Sequence, residues 1–168
     1  DMSSGSLGQG ISAAVVMAIS AKLSGDDYRV YTLLGDGEIQ EGQVWEASML
    51  AGFKKLDNLV VIVDNNNLQI DGSVDEVCSP YPIDEKFKAF NFHVINIDAH
   101  DFEQIKAAFD EARATKGCPT AIIAKSIKGK DVSFMENQAK WHGSAPNDEQ
   151  YKVAMEDLEK VGAALCQK

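Results

Sequence analysis

Hydrophobic positions along the chain fall into short segments that alternate between strand-like and helix-like spacing. Four compact segments are rich in apolar and β-branched residues, as expected of buried strands; they span 29–34, 58–65, 93–98 and 119–126. Helical spacing or high alanine content marks three further segments, which span 11–23, 43–53 and 148–165. A fourth helix is predicted after Asp101, with Gln104 as its capping partner and Gly117 at its end. This alternation predicts an α/β fold, in which a mostly parallel sheet is flanked by helices on both faces.

The length of 168 residues suits one ordinary domain that can bury a substantial core. We therefore expect residues 1–168 to form a single domain. The longest apolar runs are too short to cross a bilayer. Because Asp1 and the segment Met2–Gly5 do not resemble a natural start, we expect the chain to be part of a longer one, incomplete at its N-terminus.

The formal net charge of −10 repels nucleic acid and anionic membranes, so we expect neither as a partner. Three cysteines lie far apart and form no C-x-x-C motif, which disfavours a zinc cluster. An odd number of cysteines favours reduced thiols and a cytoplasmic location.

Two polar clusters follow two of the predicted strands directly. Gly35–Gly37 comes after the strand at 29–34, and Asp64–Asn67 comes after the apolar residues of the strand at 58–65. Ligands of open parallel sheets bind at the carboxyl ends of strands, so Asp36 and Asn66 are expected to face one crevice if the strands are neighbours. A carboxylate and an amide oxygen suit Mg²⁺ or Ca²⁺, and Mg²⁺ completes its coordination with phosphate and water. The glycines allow backbone N–H groups to approach an anion and to begin a helix.

Each cluster also has an ordinary structural explanation. Gly35–Gly37 could be a strand-to-helix turn capped by Asp36, and taken alone this is the commoner use of such a tripeptide. The asparagines of Asp64–Asn67 could be turn residues that tolerate a left-handed backbone. The spacing between the two clusters, about one βαβ unit, favours the metal site over two unrelated turns.

The segments GDGEIQEG and DNNNLQIDG together resemble the thiamine-diphosphate motif, in which GDG is followed about thirty residues later by NN. SGSLGQGIS near the start and WHGSAPN near the end resemble two further motifs of the transketolase family, in the same order. The resemblance covers nearly the whole chain, but only the later part of the family's first domain. It implies a thiamine-diphosphate-binding fold. The family's pyrimidine-binding domain and its upstream substrate-binding histidines are absent from this sequence.

By this resemblance the Mg²⁺ ligands are Asp36, Asn66 and the backbone carbonyl of Leu68, with Ca²⁺ or Mn²⁺ as possible substitutes. Gly37 and Asn66 match contacts to the diphosphate of thiamine diphosphate. Lys128 stands where some members place a lysine near the same diphosphate.

The opposite end of the cofactor is implied to meet a different part of the chain. Gly5, Ser6 and Leu7 match the turn that touches the aminopyrimidine, with Ser6 in place of the common proline. Ile70 matches an apolar residue that packs on the thiazolium side.

Two residues carry the implied catalytic roles. Glu41 matches a glutamate that links to the catalytic glutamate of the partner domain, and His142 matches a histidine near the diphosphate and the sugar hydroxyls. Alternatively, Glu41 is an acid favoured at the start of a helix, and His142 and Lys128 are surface residues of a loop.

The activity implied by the family is transfer of a two-carbon ketol unit between a ketose phosphate and an aldose phosphate. The expected partners are these sugar phosphates and a pyrimidine-binding C-terminal domain or subunit, within a homo- or hetero-oligomer. Two alternatives stay open: another thiamine-diphosphate enzyme component, such as one similar to dihydroxyacetone synthase, and a non-catalytic subunit that only binds the cofactor.

Overall fold

The computed structural model describes residues 2–166 and contains a four-stranded parallel sheet, a two-stranded hairpin and six α-helices within that range. In chain order the elements are α1 (Gln9–Ser24), β1 (Val30–Gly35), α2 (Gly42–Phe53), β2 (Leu59–Asn65), β3 (Leu68–Gln69), β4 (Gly72–Ser73), α3 (Val74–Val77), α4 (Ile83–Ala89), β5 (His93–Asp98), α5 (Phe102–Ala114), β6 (Thr120–Lys125) and α6 (Asp148–Leu165). Two short 3₁₀ helices span Glu38–Gln40 and Ala139–Trp141.

The order of strands in the large sheet brings the predicted polar clusters together. The strands lie in the order β1-β2-β6-β5, and every pairing is parallel. Gly35 at the end of β1 is paired with Asp64 on β2, and Asn65 is paired with Lys125 on β6. The carboxyl ends of these three strands therefore form one polar edge, and the two strands that carry the predicted clusters are neighbours in it.

Helices cover both faces of the sheet because β2 alternates its side chains between two hydrophobic cores. Leu59, Val61 and Val63 pack in the larger core, together with side chains of α1, α2 and α4. Val60 points to the other face, where it packs with Ala108 of α5. The predicted parallel sheet with helices on both faces is thus confirmed.

The outer surfaces of α1 and α2 retain large apolar side chains. Val16 is 65% exposed, Met49 59% and Phe53 75%. The segment 11–23 is rich in alanine and otherwise mostly apolar, which predicts a buried helix, but only one face of α1 is buried. Within residues 2–166, no helix combines the length and apolarity needed to cross a membrane.

Two parts of the chain differ from the sequence-based prediction. The helix after Asp101 ends at Ala114, so the placement of its end at Gly117 is wrong. Gly117 instead lies at φ +77° in the following turn and donates its N–H to Asp57 at 2.9 Å. In addition, residues 66–92, for which the apolar pattern predicts no element, form the β3–β4 hairpin and the helices α3 and α4.

Candidate functional site

Asp36 lies directly after β1 and is almost completely buried, with 1% of its surface exposed. One carboxylate oxygen accepts the N–H of Gly37 at 2.9 Å. The other oxygen accepts the Asn65 side-chain amide at 3.0 Å and the Asn67 N–H at 2.5 Å. The turn that follows β2 therefore holds this carboxylate at the polar edge of the sheet.

Burial raises the pKa of Asp36, because a charged carboxylate loses its hydration there. The hydrogen bonds from Asn65, Asn67 and Gly37 favour the charged form but offset only part of this effect, and the nearby Asp64 carboxylate raises the pKa further. Among the side chains of residues 2–166, no lysine or arginine forms an ion pair with Asp36 or Asp64. A bound cation would supply the missing positive charge.

The asparagine-rich turn after β2 presents neutral oxygens beside this carboxylate. The Asn66 amide oxygen accepts the Leu68 N–H at 2.9 Å, a bond that uses one of its two lone pairs. Asn67 has a left-handed backbone with φ of +63°, and its buried side-chain oxygen has no hydrogen-bond partner within the described residues. One carboxylate, amide oxygens and a backbone carbonyl are the donor types that Mg²⁺ accepts, so the residues present fit the implied metal.

Carboxylates alone do not complete a coordination sphere here. Residues 2–166 contain no group of three or more His, Cys, Asp or Glu side chains arranged to hold a metal ion. A cation bound at Asp36 would take most of its remaining ligands from neutral oxygens, water and an anionic ligand, which is how Mg²⁺ commonly binds with phosphates.

Gly37 is required by the close approach of the hairpin. A Cβ added at Gly37 would lie 2.9 Å from the Cβ of Gln69 on β3. Gln69 is in turn held by the side-chain amide of Gln40, whose Nε2 donates to its Oε1 at 2.6 Å. The helix that begins directly after Gly37 is a short 3₁₀ helix, and α2 begins at Gly42, one residue before the predicted segment 43–53.

The predicted pyrimidine-side turn is tied to the same edge by a glutamate that sequence reasoning missed. Gly5, Ser6 and Leu7 are exposed just before α1. Glu38 accepts the N–H of Gly8 at 2.9 Å with one carboxylate oxygen and the N–H of Gly35 at 3.1 Å with the other. The only sequence signal for this bridge is an acid next to the GDG tripeptide.

Ile70 and Glu41 both present side chains to solvent. Ile70 lies in the turn of the β3–β4 hairpin and is 66% exposed. Glu41 is the N-cap residue of α2, but its side chain makes no capping hydrogen bond. A negative charge at this position is favoured by the helix dipole without any capping bond, so the position of Glu41 also agrees with the helix-start explanation. The cofactor-side roles of both residues stay predictions.

Lys128 and His142 lie in the long segment between β6 and α6. The carbonyl of Lys128 accepts the Asn137 N–H at 3.0 Å, and its side chain is half-buried. His142 is exposed and directly follows the second 3₁₀ helix, where its N–H donates to Ala139 at 2.9 Å. Their contacts with diphosphate and sugar stay predictions.

Comparison with known proteins agrees with this geometry. Residues 1–161 match the protein family described as the thiamine diphosphate binding domain of transketolase. The chain is 43% identical over 163 residues to the 6-deoxy-6-sulfo-D-fructose transketolase subunit of Clostridium sp. (strain MSTE9), which covers 97% of this chain and 59% of that protein. It is 40% identical over 158 residues to an apulose-4-phosphate transketolase subunit of Phocaeicola vulgatus, which covers 94% of this chain and 56% of that protein.

A solved structure shows the same fold. The transketolase of Campylobacter jejuni matches with a TM-score of 0.85 and 38% sequence identity over 91% of this chain and 25% of that one. The chain thus spans little more than half of the two curated relatives above and a quarter of the solved transketolase. Sequence and structure agree that this chain belongs to the family of transketolase thiamine-diphosphate-binding domains.

Proposed function

We propose that this chain binds the diphosphate of thiamine diphosphate through Mg²⁺ and is one component of a two-component transketolase. The observation that carries the proposal is Asp36, a buried carboxylate that has no protein cation within the described residues and lies against the asparagine-rich turn. A protein with a net charge of −10 needs such a local cation to bind an anionic cofactor.

In this proposal Asp36, Asn66 and the Leu68 carbonyl hold the cation, and Gly37 lets the polar edge approach the diphosphate closely. Thiamine diphosphate, when bound, supplies the carbanion-stabilising chemistry of ketol transfer. Lys128 contributes positive charge near the diphosphate.

Other residues would serve the remaining parts of the cofactor and the substrate. Leu7 and Ile70 are 54% and 66% exposed, so both are accessible for packing against apolar ring surfaces. His142 would donate hydrogen bonds to the sugar hydroxyls, and Glu41 would link this chain to a glutamate of the pyrimidine-binding partner.

The proposed partner is a separate polypeptide that carries the pyrimidine-binding domain. Both curated relatives described above are transketolase subunits, and this chain covers more than nine-tenths of its own length in each alignment. The exposed apolar side chains on α1 and α2, including Val16 and Phe53, provide surface of the kind that is buried when subunits associate.

For the substrate we propose a ketose donor and an aldose acceptor with a terminal anion. One relative is named for a sulfonated fructose and the other for apulose 4-phosphate, and a terminal anion is common to both names. We propose a phosphate as the terminal anion of the substrate, with a sulfonate as the alternative. The relatives also favour a catalytic subunit over one that only binds cofactor.

A coupled assay with xylulose 5-phosphate and ribose 5-phosphate tests the proposal, and a parallel arm replaces the donor with 6-deoxy-6-sulfofructose. The chain alone should give no ketol transfer, because the acid–base group for the pyrimidine lies on the partner. Adding the pyrimidine-binding subunit of the same organism, with Mg²⁺ and thiamine diphosphate, should give steady turnover. Turnover by the chain alone would contradict the two-component arrangement, and cofactor binding without turnover of either donor would identify a non-catalytic subunit.

A further inference from the structure

We infer that Asp64, supported by Ser126, is a positioning residue that fixes the amide of Asn66 in the metal site. The inference rests on the proposed function, in which Asn66 is a ligand. It assigns a role to two polar side chains that are not among the predicted ligands.

Asp64 lies on β2 and receives hydrogen bonds from both sides. Its Oδ2 accepts the side-chain amide of Asn66 at 3.1 Å. Its Oδ1 accepts the hydroxyl of Ser126, the first residue after β6. Ser126 is itself held by the main chain, because its N–H donates to the Asn65 carbonyl at 3.1 Å.

These contacts determine which end of the Asn66 amide faces the site. An ionised Asp64 can only accept hydrogen bonds, so it must face the NH₂ end of the Asn66 amide. The Leu68 N–H can only donate, so it must face the oxygen end. Both neighbours select the same orientation, and the reversed amide would place its oxygen against the carboxylate.

The fixed orientation is useful for binding a cation. The Asn66 oxygen keeps one lone pair after bonding to the Leu68 N–H, and a metal ligand must present an oxygen rather than an NH₂ group. Groups that orient a ligand in this way commonly contribute about 10- to 100-fold to metal affinity. The negative charge of Asp64 adds to the attraction for a cation.

Asp98 offers a matched control at the same edge of the sheet. Asp98 is the last residue of β5, just as Asp64 lies near the end of β2. In the sheet it is paired in register with Lys125. Its carboxylate accepts the N–H of His100 at 2.8 Å and makes no hydrogen bond to Asn66. Asp98→Asn therefore removes the same charge from the same edge without changing the Asn66 contact.

The test measures Mn²⁺ binding to the complete enzyme, with thiamine diphosphate and the partner polypeptide present, by electron paramagnetic resonance of the free ion. Asp64→Asn should weaken Mn²⁺ binding about 10- to 100-fold, whereas Asp98→Asn should leave it unchanged. Ser126→Ala should weaken binding by a smaller factor, and Ser126→Thr, which retains the hydroxyl, should restore it.

Unfolding temperatures of the metal-free variants separate positioning from a purely structural role. If Asp64 is a positioning residue, the Asp64→Asn variant should bind Mn²⁺ more weakly. Its metal-free unfolding temperature should stay near that of the unmodified protein. A lower unfolding temperature with normal Mn²⁺ affinity, or equal affinity for Asp64→Asn and Asp98→Asn, would overturn it. If the unmodified enzyme binds no Mn²⁺ in the presence of cofactor, the metal site of the proposed function fails and this inference fails with it.

Discussion

The two edges of the parallel sheet each hold an aspartate in a network of hydrogen bonds, but the surroundings of the two carboxylates are opposite. At the amino edge, Asp57 pairs with Lys22 at 2.6 Å and accepts the Gly117 N–H at 2.9 Å. Partial burial works to raise the pKa of Asp57, yet these hydrogen bonds and the lysine charge outweigh it and lower the pKa. At the carboxyl edge, burial dominates and the pKa of Asp36 is raised.

The difference indicates what each edge is for. Asp57 has its counter-charge within the protein, so it needs no ligand and serves to join α1 to the turn before β6. Asp36 has several hydrogen-bond donors but no protein cation among the described residues, which is an incomplete arrangement for a buried charge. A site that is complete only with a bound cation is expected where a cation-dependent cofactor binds.

Exchanging each aspartate for asparagine tests this comparison most directly. Asp36→Asn should weaken Mg²⁺-dependent binding of thiamine diphosphate by more than about 100-fold, since it removes the only charged protein ligand proposed. Its metal-free stability should change little, because the removal of an uncompensated buried charge is opposed by the loss of the hydrogen bonds that one carboxylate oxygen accepts. Calorimetric titration of the complete enzyme with cofactor and Mg²⁺ measures the first effect.

Asp57→Asn is the control for this experiment and should bind cofactor normally. Its expected defect is in stability alone, because Asp57 lies at the opposite edge of the sheet. Equal cofactor affinity for the Asp36 and Asp57 variants would show that the two edges do not differ in function.

The histidines extend the comparison from carboxylates to imidazoles. His93 begins β5 at the amino edge and pairs with Glu111 at 2.6 Å, whereas His142 is exposed in the segment that follows the carboxyl end of β6. We expect His142→Ala to lower turnover by roughly 100-fold, as loss of a donor to a developing charge does, with little change in cofactor affinity. His93→Ala should leave turnover unchanged.

Steady-state kinetics on the complete enzyme, combined with cofactor titration, measures both histidine variants. Normal turnover of His142→Ala would assign His142 to the loop surface. A parallel loss of turnover and cofactor affinity would instead place it among the residues that hold the diphosphate.

The sheet could be predicted from sequence because its signals are local. Within the segment 58–65, residues 59–63 form an unbroken apolar run that is mostly β-branched, which is typical of a strand covered on both faces. Asp101 caps α5 through its own side chain, as predicted. The hairpin at 68–73 escaped prediction because each of its strands has only two residues, too few for any periodicity to show.

The site was predictable only in part, for a related reason. Adjacent parallel strands bring Asp36 and the turn after β2 together, so the meeting of the two motifs follows from the fold class. The bridge from Glu38 to Gly8 spans 30 residues and the contact of Asp64 with Ser126 spans 62. Such contacts depend on how loops return to the sheet edge, and no spacing in the sequence reports that path.

The smallest expected effect concerns how Asp57 responds to pH. Its pKa is lower in the folded protein than its ordinary value of 3.8, so its contribution to stability is present above that value and is lost as the pH falls through the lowered folded pKa. At neutral pH, Asp57→Asn should reduce the free energy of unfolding by about 1 kcal/mol at most, because Lys22 and Asp57 are partly exposed to solvent. Other aspartates with lowered pKa, such as Asp110, are present in both the unmodified protein and the Asp57→Asn variant. The difference in free energy of unfolding between these two proteins therefore isolates Asp57. Chemical denaturation of the metal-free proteins from pH 7 downward should show this difference shrinking toward zero in acid. A difference that stays constant with pH would mean that the ionised form of Asp57 is not what stabilises the amino edge.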